Sequence, residues 1–403
     1  MSMLTIEDAW ARLDAACAPL PAASLPLVSA LGRVTAVPVH AACDLPPFDQ
    51  SGVDGYALSV AGIRDWPARL PLGGTIAAGT LAAVPALDAG TAARIYTGGM
   101  IPQGADAVVA QEWVEREGES LVVARPVPVG QDIRRRGEEL CAGTLMIGRG
   151  ERLNAGRIAM LAAAGIDRVR VHAAPRVRVL VCGDEIVPAG RTLRLGEVYD
   201  ANGPLIASWL RRNGYPDPEI EAVPDREAVV SEALRRAFDS ADLVLSAGGV
   251  SVGDRDLIVP EAERLGAERL FWRVAQKPGK PVYAARHGRA LLIGLPGNPG
   301  SVLVNLAVFV ARVLGCLEAE ADHAAALQVG FLLAAAAGDP QRDTWLRVRR
   351  RIGEDGSLGL EPLPRQNSHM ISNLSVADAL AWLPRSAEQF PVGTRVRCLS
   401  LRL

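Results

Sequence analysis

The chain has 403 residues, 49% apolar and 22% charged, with a formal net charge of −2. That length calls for more than one domain, the composition is that of a folded globular protein, and the near-neutral charge removes any global electrostatic case for nucleic acid. Aromatic residues make up 4% of the chain, which argues against a base-stacking surface.

Thr5-Ile6-Glu7-Asp8 has the Ser/Thr-x-x-acid form of a helix start. Ile6, Trp10 and Leu13 then share a helical face, which predicts a helix to about Ala18. This acidic stretch lacks the apolar core of a signal peptide. A proline-rich connection (Pro19, Pro21, Pro26) leads to an extended stretch near Val37 and Val39. Leu45 to Leu58 follows as a polar, glycine-containing loop with Asp49 and Asp54, two carboxylates that suit turns or a ligand. From about Leu70 to Leu145, short β-like runs alternate with glycine and proline turns: Arg94-Ile95-Tyr96, Ala107-Val108-Val109 and Ser120 to Val123. That pattern predicts a small all-β module. Arg134-Arg135-Arg136 within it reads as a solvated charge run, with an anion or a partner subunit as the sharper alternative.

Asn154 to Ala164 reads as a helix capped by Asn154 and stopped by Gly165. Strands and helices then alternate. Strands are expected at Arg176 to Cys182, Glu219 to Val223, Asp242 to Ser246 and Ala290 to Ile293. Helices are expected at Asn202 to Asn213, from Asp225 as cap to about Phe238, at Asp256 to Leu265 and at Ser301 to Leu314. Such alternation implies a parallel sheet covered on both faces. The longest apolar run, Val302 to Leu314, is shorter than the roughly 20 residues a membrane span needs and reads as a buried helix. Beyond about Ala321, short strands return at Gln328 to Leu333, Trp345 to Arg351, Leu358 to Leu363, Ala379 to Leu383 and Arg395 to Leu401, predicting a C-terminal β-barrel or sandwich. The six cysteines are scattered, with no C-x-x-C and no zinc-like spacing, as expected of free thiols in a reducing, cytoplasmic compartment.

The chemistry concentrates between Ser246 and Ser301. Three glycine-bearing segments lie there: Ser246 to Asp254, Gln276 to Pro281 and Gly294 to Ser301. Of 43 basic residues only two are lysine, Lys277 and Lys280, and both sit in the middle segment. A compact ammonium and a planar guanidinium are different tools, so this placement singles out the loop. In an open parallel sheet, ligands bind beyond the carboxyl ends of the strands. The segments that follow predicted strands, Gly183-Asp184-Glu185, Val223-Pro224-Asp225, Ala247 to Asp256 and Gly294 to Ser301, should therefore share one rim. Acids beside anion-binding turns and two lysines suggest a phosphate-bearing ligand with a divalent metal between phosphate and carboxylate. Capping is the simpler role for Asp225. No G-x-G-x-x-G or G-x-x-x-x-G-K-[ST] occurs, against a dinucleotide site and a P-loop.

Eight ordered segments together resemble the MoeA family, the molybdopterin molybdenumtransferases, which include the E domains of gephyrin and of plant Cnx proteins. They are Phe48 to Ala57, Tyr96-Thr97-Gly98, Gly104 to Val109, Ile133 to Glu138, Gly183-Asp184-Glu185, Gly248 to Asp254, Lys277 to Pro281 and Gly294 to Pro299. The resemblance implies a multidomain α/β plus β fold. It divides into a helical N-terminal and dimerisation domain (1–44 and 146–174), an inserted small β domain (45–145), a three-layer α/β domain like MogA (175–320) and a C-terminal β-barrel (321–403). It implies insertion of molybdate into adenylylated molybdopterin with release of AMP and with Mg²⁺ as cofactor. A molybdopterin adenylyltransferase and a tungsten-inserting paralogue are the alternatives. It also implies a homodimer whose cleft is shared between subunits, and an adenylyltransferase and molybdoenzymes as partners.

Carried over by position, Asp54 and Thr97 match residues of the small domain facing the cleft, and Glu185, Asp225 and Asp256 match acids that bind metal or substrate. Lys277 and Lys280 match oxyanion-binding lysines, with Ser301 at a helix start adding donors. Gly248, Gly249, Ser251, Asp254, Pro281, Pro296, Asn298 and Pro299 belong to the matching substrate loops, and Arg342 or Arg347 with Ser368 resemble the remaining oxyanion contacts. The chain departs from the family pattern at Gln50-Ser51-Gly52-Val53, at Cys182, at Gly300 and in Arg365 to His369.

Overall fold

The computed structural model describes residues 3–79, 84–251, 253, 255–322 and 327–401. Its centre is a six-stranded sheet built from Val177–Cys182 (β1), Glu219–Val223 (β2), Leu243–Ala247 (β3), Glu268–Trp272 (β4), Tyr283–His287 (β5) and Ala290–Leu295 (β6). The order is β2-β1-β3-β6-β5-β4. The first four strands are mutually parallel, and β5 runs antiparallel to both its neighbours. β3 and β6 are buried along their whole length, which is why they read as unbroken apolar runs.

The period of two along β1 assigns its faces. Val177, Val179 and Val181 pack with helix Asn202–Arg212 (α1) and the long helix Pro299–Leu317 (α4). Leu180 and Cys182 pack with Glu227–Ser240 (α2) and Ile258–Arg264 (α3). Helix α4 is α-helical at both ends with a π-helical turn over Leu306–Val310. It is long and apolar enough to cross a bilayer by length and composition, yet 83% of it is buried inside this fold, as the reading of Val302 to Leu314 expected.

The N-terminal helix Ile6–Ala16 begins as predicted, with the Thr5 hydroxyl accepting the Asp8 N–H at 3.0 Å, a cap worth about 1 kcal/mol. Ile6, Ala9 and Leu13 insert into the same core as α1 and α4, and the Trp10 indole N–H donates to the Val308 carbonyl at 2.8 Å. This helix thus packs on the α/β body, whereas Ala22–Pro26 pairs with Arg168–His172 and, with helix Ala155–Ala163, forms a separate small core. Asn154 caps that helix through the Arg157 N–H, and Gly165 follows at φ +80°.

The small domain is a six-stranded sheet ordered Ala107–Ala110, Gly55–Leu58, Ala92–Ile95, Ala68–Ile76, Ser120–Val123, Val114–Glu117. At the other end, Asp343–Ile352, Leu358–Pro362, Gln328–Leu332, Arg395–Ser400 and Ala379–Leu383 pair in turn, and the last strand pairs again with the first, closing a five-stranded barrel. The barrel is welded to the α/β body. Trp345 and Trp382 pack in the body's core, and Gln276–Lys277 adds a parallel strand beside Asp343–Thr344.

A buried ionic cluster joins the N-terminal segments to the body. Glu318, just past α4, accepts from Arg33 at 2.8 Å and from the Tyr215 hydroxyl at 2.9 Å, and lies 3.0 Å from Arg152.

Candidate active site

The carboxyl ends of β1, β2, β3 and β6 open onto one cavity of about 590 Å³. Its lining includes Glu185, Asp225, Gly248, Gly249, Ser251, Asp256, Pro281, Pro296 and Asn298. The rim expected from strand order is therefore formed. Asp254 lies outside the described residues. A second hollow of about 640 Å³ lies in the small domain under Val114 and Val122, with a mostly apolar lining and none of these acids.

The turn after β3 explains one of the glycines. Gly248 has φ +95°, and a Cβ there would stand 2.8 Å from the Cys182 carbonyl oxygen of the neighbouring strand. Its N–H donates to Leu295 O at 2.9 Å, tying this turn to the end of β6.

Asp225 does not cap α2, contrary to the simpler reading. The helix begins at Glu227 after Arg226, with no side-chain cap. Asp225 instead faces the cavity, and its N–H donates to Asp184 Oδ1 at 3.1 Å. Burial, reinforced by the neighbouring Asp184 and Glu185 carboxylates, raises its pKa above the ordinary aspartate value. Cys182 sits on the same wall, and burial, then Asp225, pushes its thiol up to about 12, so it is a neutral wall residue. Asp256 folds back to accept the Gly253 N–H at 2.8 Å, so α3 begins at Ile258 and not at Asp256.

Asn202 and Arg255 also line the cavity and were not singled out by the sequence as site residues. Asn202 reads as a helix cap, but Asp200 Oδ1 takes that role, accepting the N–H groups of Asn202 and Gly203 at 2.9 Å. This frees the Asn202 amide to donate to Gly297 O at 2.7 Å across the cavity floor. The signal in the sequence was Asp200 itself, a better cap two residues upstream.

The lysine loop reaches the cavity through Pro281, while Lys277 and Lys280 are exposed at its flank. The loop is anchored by Gln276, whose amide donates to Asn305 Oδ1 at 2.8 Å, and Asn305 in turn donates to Ser301 O at 2.9 Å. Lys277 Nζ lies 3.8 Å from Asp339 of the barrel, which Arg342 engages at 2.8 Å.

Two expectations for the oxyanion side are corrected. Arg347 does not face a ligand. It is 0% exposed, and its guanidinium donates to the carbonyls of Arg365, Asn367 and Met370 and to the Gln366 side chain. The start of α4 is not an open cradle either. The Gly300 N–H donates to Ser368 O and the Ser301 N–H to Asn298 O, each at 2.9 Å, and Ser301 is buried. Pro299 occupies the first turn of α4, and Asn298 Nδ2 donates to Ser368 Oγ at 3.0 Å.

In the small domain, the Thr97 N–H and hydroxyl both donate to Asp54 Oδ1, at 2.8 and 2.7 Å, and these bonds, the backbone one first, lower the Asp54 pKa. Neither residue lines the cavity of its own chain. Asp49 takes the turn role, accepting from Arg135 at 2.7 Å and from the Arg136 N–H at 2.8 Å, which ties two of the three adjacent arginines down inside the domain.

An α/β body with an acid-lined cavity at its strand ends, flanked by a small β domain and a barrel, has the layout of an α/β ligand-binding protein. Residues 4–165 match the MoeA N-terminal region (domain I and II), 178–315 a probable molybdopterin binding domain and 331–401 the MoeA C-terminal region (domain IV). The molybdopterin molybdenumtransferase of Synechococcus elongatus is 32% identical over 95% of both chains, and that of Haemophilus influenzae 32% identical over 92% of both. A molybdopterin biosynthesis MoeA protein from Pyrococcus horikoshii superposes with a TM-score of 0.80 over 99% of both chains at 28% identity. The chain belongs to the MoeA family.

Proposed function

We propose that the strand-end cavity holds adenylylated molybdopterin, with molybdate on the side of Lys277 and Lys280, and that the protein joins the two with release of AMP. The reaction class is molybdenum insertion in molybdenum cofactor biosynthesis, the activity by which its curated relatives are named. The observation that carries the site reading is the convergence of Glu185, Asp225 and Asp256 with the Gly248–Gly249 turn and Asn298 on one cavity at the ends of four parallel strands.

The donor set fits Mg²⁺. Three carboxylates line one cavity, and Asp225 feels both Asp184 and Glu185. Among the described residues no group of three His, Cys, Asp or Glu side chains forms a ready-made cage. Magnesium is usually held by one or two carboxylates together with substrate phosphates and water, so a half-built site is the appropriate one. Asp225 and Glu185 would hold the ion, with Asp256 beside them. When bound, it neutralises charge on the phosphoanhydride.

The rest of the chemistry is positioning. The two ammonium groups hold the molybdate dianion at the edge of the cavity, on a loop fixed by Gln276 and Asn305. The acids orient the oxygen that attacks the anhydride phosphorus. That oxygen comes from a water, the P–O–P bond breaks, AMP leaves, and two dithiolene sulfurs replace one molybdate oxygen, which departs as water with the two thiol protons.

The working unit is a homodimer with a shared cleft. Supporting it, the bonded pair Asp54–Thr97 is exposed on the small domain, outside its own chain's cavity. The protein acts in the cytoplasm, as its six free thiols fit, receiving substrate from an adenylyltransferase and passing product to molybdoenzymes. Purified protein given adenylylated molybdopterin, molybdate and magnesium should release AMP. Formation of adenylylated pterin from ATP, with no AMP release, would overturn the assignment.

A further inference from the structure

We infer that Arg347 is a positioning residue. From the barrel's outer face, opposite the one that carries Leu346 and Val348, it fixes the loop Arg365–Met370 so that Ser368 grips the Asn298–Gly300 wall of the cavity, and Gly300 is the shape requirement that lets the loop seat. This rests on the site reading above and adds residues to it.

The guanidinium of Arg347 is fully buried yet pairs with no carboxylate among the described residues. Nη1 donates to Met370 O at 2.9 Å, and Nη2 to Arg365 O at 3.1 Å and to Asn367 O at 3.0 Å. The Gln366 amide closes the arrangement, donating to Arg347 O and Leu363 O at 2.8 Å. Burying a charge is costly unless its donors are satisfied. Here they are spent on one loop, and only a planar fork can reach carbonyls on both sides of it. Lysine, with a single point of charge, cannot.

The loop so fixed makes two bonds to the cavity wall. Ser368 O accepts the Gly300 N–H at 2.9 Å, and Ser368 Oγ accepts from Asn298 Nδ2 at 3.0 Å. Asn298 lines the cavity. At Gly300 a Cβ would stand 2.7 Å from Arg347 Nη1 and 2.8 Å from Ser368 O, closer than real Cβ atoms approach such groups. The departure from the family pattern at Gly300 therefore has a physical reason: the barrel loop sits flush against the start of α4. This wall is tied to the lysine loop through Ser301, Asn305 and Gln276. Loosening the latch displaces the oxyanion side of the site.

The test compares Arg347→Lys, Gly300→Ala and Ser368→Ala with Lys277→Ala, measuring thermal midpoints and the KM values for molybdate and for adenylylated molybdopterin. Arg347→Lys and Gly300→Ala should each raise the molybdate KM about tenfold, with kcat and the pterin KM within about twofold, as a small displacement of a positioned ligand does. Ser368→Ala should raise it by a smaller factor. A lower midpoint and a smaller active fraction with unchanged molybdate KM would make Arg347 merely structural and overturn the inference. If Arg347→Lys does not fold, Gly300→Ala and Ser368→Ala decide, and a wild-type molybdate KM in both overturns it. Unchanged molybdate dependence in Lys277→Ala would instead strike the site reading itself, whereas a defect there beside wild-type latch variants strikes the latch alone.

Discussion

Lys277 Nζ lies 3.8 Å from the Asp339 carboxylate, which already holds the Arg342 guanidinium at 2.8 Å. Asp339 is thus largely satisfied without the lysine, and the Lys277 side chain is 55% exposed. A long, exposed pair of this kind is worth little. The ammonium is kept near the barrel yet is free to turn to a better anion, as the proposed oxyanion role requires.

Replacing either lysine by arginine keeps the charge and changes its shape. A planar, forked cation places its donors differently from a compact ammonium on a loop held by Gln276 and Asn305. Lys277→Arg and Lys280→Arg should each raise the molybdate KM about tenfold. Steady-state AMP release against molybdate concentration measures this, and wild-type dependence in both variants would show the lysines to be incidental.

Asp225 carries a trade-off between stability and activity. Burial and two neighbouring acids raise its pKa in the folded state. A carboxyl with a raised folded pKa favours the fold while protonated, and that contribution is lost as the pH rises through the folded value. Once ionised, Asp225 therefore works against the fold. Asp225→Asn should melt higher than wild type at pH 7, with the advantage shrinking as the pH falls into the carboxylate range, while AMP release collapses. Melting curves across pH read it directly, and an Asn variant less stable than wild type at pH 7 contradicts the assignment.

The sequence made the sheet order's consequence legible because parallel strands place their following loops on one edge. Glycines and acids at four strand ends needed no tertiary detail to be gathered. The C-terminal barrel was legible as strands, and its closure followed from the pairing of Thr344–Val348 with Ala379–Leu383. What local pattern misassigned were the side chains whose partners are remote. Asn202 sits at a helix start, where capping is the usual role, but its partner is Gly297, 95 residues on. Arg347 stands in a strand where a charge suggests a ligand, and its true partners are carbonyls of a loop 18 to 23 residues away. No periodicity reports such contacts.

Asp54 and Thr97 offer a test of subunit sharing that does not depend on a dimer structure. Asp54→Ala and Asp225→Asn proteins, each inactive, should regain activity when co-expressed. In a two-fold dimer the mixed species carries one cleft with both changes and one with neither. Random assembly then restores about a quarter of the wild-type rate. Clefts built within one chain restore none, so activity of co-purified, differently tagged subunits separates the two arrangements.

The cluster at Glu318 governs how the N-terminal segments are held. Glu318 is 0% exposed and receives Arg33, Arg152 and the Tyr215 hydroxyl, while Glu320 shares Arg152 at 2.8 Å. Burial and Glu318 raise the Tyr215 pKa, so the phenol stays a donor to that carboxylate throughout the neutral range. Removing one member of a buried ion pair leaves its partners charged and unpaired, at a cost of about 3–5 kcal/mol. The cost falls on the joint between the segments around Arg33 and Arg152 and the α/β body, because Glu318 and Tyr215 belong to the body and the two arginines to those segments. Glu318→Ala should therefore unfold in two stages, the N-terminal and small domains loosening at lower urea than the body. Coincident single transitions by fluorescence and circular dichroism, at the wild-type midpoint, would show that the cluster contributes nothing to the joint.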